Sequence, residues 1–85
     1  MPEVIIYSKA SCPYFEHAKN LLNQKKVSFQ EIRIDLNEKE RDIMIERSGR
    51  RTVPQIFING TPIGGYDDLA NLEKSGKLDA LLHSD

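Results

Sequence analysis

Val4-Ile5-Ile6-Tyr7, a short run of β-branched and aromatic side chains, leads almost at once into Cys12-Pro13. The run reads as a buried strand, and proline is favoured at the first position of a helix. A strand that hands the chain directly to a helix narrows the choice to an α/β layered fold. The helix so opened carries an apolar stripe in Ala18, Leu21 and Leu22, with Tyr14 or Phe15 before them. Lys25-Lys26 falls at its C-terminal end, where positive charge suits the helix dipole.

The remaining elements follow from similar signals. Val27 to Leu36 predicts a second strand with Ile32, Ile34 and Leu36 on one face. Asn37 caps a second helix over roughly 38–48, with Met44 and Ile45 in the core and Gly49 as its stop. Gln55 to Ile58 is a third strand, and Asn59-Gly60 is the dipeptide of a tight type I′ hairpin, which pairs a fourth strand near 61–63 antiparallel to it. Gly64-Gly65 breaks that strand. Asp67 or Asp68 caps a third helix through Leu72, Gly76 ends it, and Leu78, Leu81 and Leu82 predict a short closing helix. The order is β-α-β-α-β-β-α with a final helical turn. The first β-α-β unit is parallel with a right-handed crossover, so the four-stranded sheet is mixed, with helices on both faces. Ligand sites in such folds lie at strand ends where helices begin, and Cys12 sits there.

Eighty-five residues make a single domain, 1–85, with core enough for one layer packing. Cys12 is the only cysteine, so no internal disulfide staples the chain, which fits a reducing compartment. A net charge of −1 offers no basic field for nucleic acid. The opening apolar run is too short for a secretory signal, and no stretch approaches the ~20 apolar residues of a membrane span. The expectation is a cytoplasmic monomer that binds neither nucleic acid nor membrane.

Three places in the chain carry chemistry. Cys12 precedes a proline at a helix start, so its sulfur is expected to face the backbone N–H groups of Tyr14 and Phe15. Those donors, the positive end of the helix and Lys9 nearby favour a thiolate, and Cys12 reads as reactive rather than structural. Thr52-Val53-Pro54 stands directly before the third strand. A strand-initial proline is ordinary, whereas a cis Val53–Pro54 bond would turn the backbone of Val53 outward to pair with a peptide. In Gly64-Gly65-Tyr66-Asp67-Asp68 the simplest reading is a strand end and an aspartate cap. Its N–H groups at Tyr66 and Asp67 also suit a carboxylate, and an aspartate beside them suits an ammonium, the two ends of an α-amino acid.

Tyr7-Ser8-Lys9-Ala10-Ser11-Cys12-Pro13-Tyr14, Arg51-Thr52-Val53-Pro54-Gln55-Ile56-Phe57-Ile58 and Ile63-Gly64-Gly65-Tyr66-Asp67-Asp68-Leu69 together resemble the glutaredoxins of the short bacterial type, over essentially the whole chain. The resemblance implies a thioredoxin fold, a cis bond before Pro54, Cys12 as nucleophile and glutathione as electron donor and co-substrate. It places glutathione against Lys9, Tyr14, Thr52, Val53, Pro54, Gly65, Tyr66, Asp67 and Asp68. One departure matters. The family's usual Cys-Pro-Tyr-Cys is Cys-Pro-Tyr-Phe here, and Phe15 stands where a second cysteine would resolve a mixed disulfide. The chain also differs from the branch that carries Cys-Gly-Phe-Ser and a longer preceding loop. Phe15 falls in register with Ala18 and Leu22 and extends the apolar stripe, although a bulky apolar neighbour can also partly cover the sulfur.

These features point to a monothiol route that reduces glutathione mixed disulfides of proteins and small molecules. The alternative is a carrier of a [2Fe–2S] cluster held by Cys12 of two chains and two glutathione thiolates, although Pro13 leaves little freedom at that site. A third reading is a glutathione-binding chain inactivated by Phe15. No resident metal is expected: His17, read as a surface residue, and one cysteine fall short of the four ligands of a zinc site. His83 has no assigned role. Arg50-Arg51 reads as a solvated loop pair or as an attraction for glutathione's carboxylates.

Overall fold

Proline opens the first helix where its fixed backbone angle suits it. A computed structural model describes residues 3–83. In it Val4–Ser8 (β1) leads through a short loop to Pro13–Gln24 (α1), followed by Gln30–Arg33 (β2), Glu38–Ser48 (α2), Gln55–Ile58 (β3), Thr61–Gly64 (β4), Tyr66–Lys74 (α3) and Lys77–Leu82 (α4). The strands form one mixed sheet in the order β2-β1-β3-β4. β2 lies parallel to β1, β3 antiparallel to β1, and β4 antiparallel to β3. This is the thioredoxin-like arrangement.

The two central strands are covered on both sides. Val4, Ile6, Ile56 and Ile58 face a core built with Phe15, Ala18 and Leu22 of α1, Leu69 of α3, and Leu78 and Leu82 of α4. The alternate residues Tyr7 and Phe57 face the other way, against Met44 of α2 and Ile34. Period-two alternation thus sends successive side chains of one strand into two separate cores. Tyr7 and Phe57 meet edge to face, with ring centroids 5.5 Å apart.

Local signals act as the sequence indicates at several turns. Asn37 Oδ1 accepts the Glu40 N–H at 3.2 Å, which caps α2, and Gly49 closes it with φ +72°. Asn59 and Gly60 both take positive φ, +51° and +83°, the pair of angles that a type I′ turn demands.

Two expectations need correction. β2 is confined to Gln30–Arg33, and Leu36 is 76% exposed instead of sharing a buried face with Ile32 and Ile34. The chain turns after Ile34, because Asp35 draws back the Arg33 guanidinium and Leu36 N–H closes onto the Arg33 carbonyl at 3.3 Å. Lys25 is the C-cap of α1, as its placement in the sequence indicates, and its ammonium also ties helices together, lying 2.7 Å from Glu73 and 3.1 Å from Asp79. Neither Asp67 nor Asp68 is the cap of α3. Gly65 holds that position, and Asp68, three residues on, accepts the Gly65 N–H at 3.0 Å, the returning half of a capping box.

The contrast between two leucines tests this packing. Leu22→Ala, at a fully buried position, should destabilise the fold by about 2–5 kcal/mol in urea unfolding. Leu36→Ala should stay within about 0.5 kcal/mol of the parent. Equal losses at both positions would contradict the exposed turn at Leu36.

Candidate active site

Cys12 is the residue immediately before α1, in extended conformation, half-buried and packed partly against the larger core. Its side chain makes no capping hydrogen bond. Pro13 has no N–H, and the Phe15 N–H is taken by the Cys12 carbonyl at 3.1 Å. The expectation that Phe15 offers its N–H to the sulfur is therefore corrected, which leaves Tyr14 as the first helical residue with a donor at this end. The Phe15 ring is buried beside Ala18 and Leu22 and meets Phe29 edge to face at 6.3 Å. It is core, as its helical spacing indicates.

The loop carrying Cys12 is anchored from β2. Asp35 Oδ2 accepts the Ala10 N–H at 3.2 Å while Arg33 grips the same carboxylate through two hydrogen bonds of 2.8 and 2.6 Å. The Arg33 guanidinium, assisted by the Ala10 N–H and opposed by partial burial, holds the Asp35 carboxyl down at about 2. Lys9 and Cys12 line one open cavity of about 580 Å³ together with Phe15, Lys19, Glu31 and Arg33.

On the other side of the α1 start lies a narrower groove of about 220 Å³. Tyr14 and Thr52-Val53-Pro54 line it, with Gly65, Tyr66, Asp67 and Asp68 opposite. Eight of the nine residues expected to hold glutathione thus share one groove, and Lys9 stands apart from them in the cavity beside the thiol. The Val53–Pro54 bond is cis. Gly64 has φ +116°, and a side chain there would collide with the Asp68 carboxylate, so glycine is required for Asp68 to reach the Gly65 N–H.

Arg50, which the sequence offered as a solvated loop residue or an attraction for glutathione's carboxylates, lines the groove and pairs with Asp68 at 3.2 Å, with both groups partly in solvent. Sequence reasoning missed two features of the groove and its rim. Gln55 lies beneath it, 1% exposed, with its Nε2 donating to Thr52 Oγ1 at 3.2 Å. His17 is exposed, as the sequence reading has it, and its ring also joins a cluster, 5.5 Å from Tyr66 and 6.0 Å from Tyr14, which itself stacks on Tyr66 at 6.5 Å. The three-residue spacing of Tyr14 and His17 on α1 was a visible signal. Tyr66 joins them only through the fold.

The glutaredoxin family model matches residues 4–63. Glutaredoxin 3 of Escherichia coli K12 is 57% identical over 82 residues, which span 96% of this chain and 99% of the relative. A glutaredoxin of Pseudomonas aeruginosa is 52% identical over 96% of this chain and 98% of its own length. Among solved structures, a buckwheat glutaredoxin–glutathione complex superposes with a TM-score of 0.85 at 32% identity, covering 93% of this chain and 74% of that one. The solution structure of a Brucella melitensis glutaredoxin gives 0.81 at 51% identity, over 94% and 87%.

The anchoring of the Cys12 loop makes a pH prediction. A carboxyl held below its usual value of 3.8 contributes stability that is complete above that value and lost as pH falls through about 2. Between these limits the melting temperature of the parent should fall more than that of Asp35→Asn, by a small margin that salt reduces. Parallel curves for the two proteins would show that the Arg33–Asp35–Ala10 link contributes nothing.

Proposed function

The chain belongs to the glutaredoxin family of glutathione-dependent thiol oxidoreductases, and we propose that it works by a monothiol route centred on Cys12. The reading is supported chiefly by a lone, half-buried cysteine at the start of α1, two residues before Tyr14, which lines the groove walled by Thr52-Val53-Pro54 and Gly65-Tyr66-Asp67-Asp68. With Phe15 in the core where a resolving thiol would stand, no internal disulfide can form.

The reaction then has two exchanges. The Cys12 thiolate attacks the glutathione sulfur of a mixed disulfide, the Cys12–glutathione S–S bond forms, and the substrate's S–S bond breaks to release its thiolate. A second glutathione thiolate attacks the glutathione sulfur on Cys12, freeing Cys12 and leaving as glutathione disulfide. In sum, a mixed disulfide and one reduced glutathione become the substrate thiol and glutathione disulfide, so each turnover consumes one free glutathione and the disulfide bond passes from the substrate to glutathione. Each step is an ordinary thiol–disulfide exchange that demands a thiolate attacker and an in-line approach to one sulfur. The protein's part is to hold glutathione so that its sulfur, and not the substrate's, faces Cys12.

The groove residues suit that task. Backbone N–H groups at the start of α3 complement the α-carboxylate of glutathione's γ-glutamyl end, and the Asp67 and Asp68 carboxylates complement its ammonium. One chain supplies both walls, so a monomer suffices. Lys9 lies on the thiol side of the α1 start, where it favours the approach of anionic glutathione to Cys12.

A deglutathionylation assay coupled to glutathione reductase tests the reading. The parent should turn over a glutathionylated peptide and Cys12→Ser should not. Turnover that survives Cys12→Ser, or a parent with none, would overturn it. The double variant Asp67→Asn/Asp68→Asn keeps an oxygen to accept the Gly65 N–H but loses both charges, so it should stay folded while KM rises roughly ten- to hundredfold, as expected for hydrogen bonds to a charged group. A falling melting temperature with unchanged KM would make the two aspartates purely structural.

A further inference from the structure

Gln55 is a buried polar residue that the reaction above does not use. It opens β3 opposite Tyr7 of β1, at the edge of the core on the sheet face covered by α2, where Arg50, Thr52 and Asp68 line the groove with it. Its Nε2 reaches Thr52 Oγ1, but its Oε1 is buried with no hydrogen-bond partner. A carbonyl oxygen buried without a partner costs free energy, so an apolar side chain of the same size would serve the core better. The amide is accounted for by what it does to Thr52.

A threonine hydroxyl has one proton to give and lone pairs to receive. By accepting from Gln55 on its inner side, Thr52 keeps that proton for the groove that it lines. Among the described residues no protein acceptor takes it. We propose that Gln55 is a positioning residue that fixes Thr52 as a hydrogen-bond donor toward an acceptor oxygen of bound glutathione. The inference rests on the glutathione-binding reading of the groove and adds to it the residue that sets the polarity of one wall.

Calorimetric titration with S-methylglutathione, a thioether that cannot exchange with Cys12, isolates binding from chemistry. The parent, Thr52→Val, Gln55→Met and the double variant are compared. Thr52→Val should bind about tenfold more weakly, the loss expected for one hydrogen bond to a charged group. Gln55→Met should approach the same loss while melting no lower than the parent, and the double variant should lose no more than Thr52→Val alone. In the coupled assay the loss should fall on KM, with kcat nearly unchanged.

Each other result counts against the proposal. Unchanged or tighter binding by Gln55→Met would mean that the amide does not direct Thr52 outward. Losses that multiply in the double variant would mean that the two side chains act separately, and a Gln55→Met protein that fails to fold would make the amide a core requirement. A neutral Thr52→Val would remove the donor altogether. If the parent binds S-methylglutathione but only these comparisons fail, the glutathione reading stands and this inference falls. If the parent does not bind it, both fall.

Discussion

Burial of β1 and β3 on both faces is the constraint from which the rest of this fold follows. Ile6 and Ile56 are fully buried toward α1, α3 and α4, while Tyr7 and Phe57 are buried toward α2. A sheet whose central strands have no wet face must carry helices on both sides, and those helices must begin or end at the strand termini. The loop after β1 therefore delivers Cys12 to the start of α1. The loop before β3 and the turn after β4 deliver Thr52-Val53-Pro54 and Gly65-Tyr66-Asp67-Asp68 to a shared groove. The site is a consequence of how the strands end.

The polar groups around the groove form a chain of dependence rather than a set of independent contacts. Gly64 leaves room for the Asp68 carboxylate, which turns back onto the Gly65 N–H and also meets Arg50. Ser48, Arg50 and the end of α2 approach the same region, with the Ser48 hydroxyl donating to the Met44 carbonyl at 2.7 Å and receiving the Arg50 N–H at 3.1 Å. On the thiol side, Asp35 links β2 to the Cys12 loop through Ala10. The Cys12 loop is thus held by a carboxylate from beyond β2, and the groove by one that bonds the start of its own helix and pairs with Arg50 across it.

Much of this was legible because the signals were local. Val4 to Tyr7 followed by Cys12-Pro13, the Asn37 cap with its Gly49 stop, and Asn59-Gly60 each specify backbone geometry within a few residues. Tertiary context decided what was missed. Leu36 looked like the last residue of an apolar stripe, and only the Arg33–Asp35 pair turns it into solvent. An aspartate two or three residues after Gly65 looked like a cap, but the close approach permitted by Gly64 lets Asp68 act from the third helical position. Tyr66 reaches Tyr14 and His17 only through the fold, and the Gln55–Thr52 contact spans a loop-to-strand junction where no helical or strand periodicity sets which side chains meet.

The central claim is that one cysteine carries the reaction without a resolving partner, and intact-mass spectrometry reads it directly. Treated with glutathione disulfide and then freed of small thiols, the protein should carry one glutathione per chain, on Cys12. That adduct should persist until reduced glutathione is added, and then discharge with release of glutathione disulfide. A chain that never acquires the adduct, or one whose adduct does not yield to glutathione, would contradict the account.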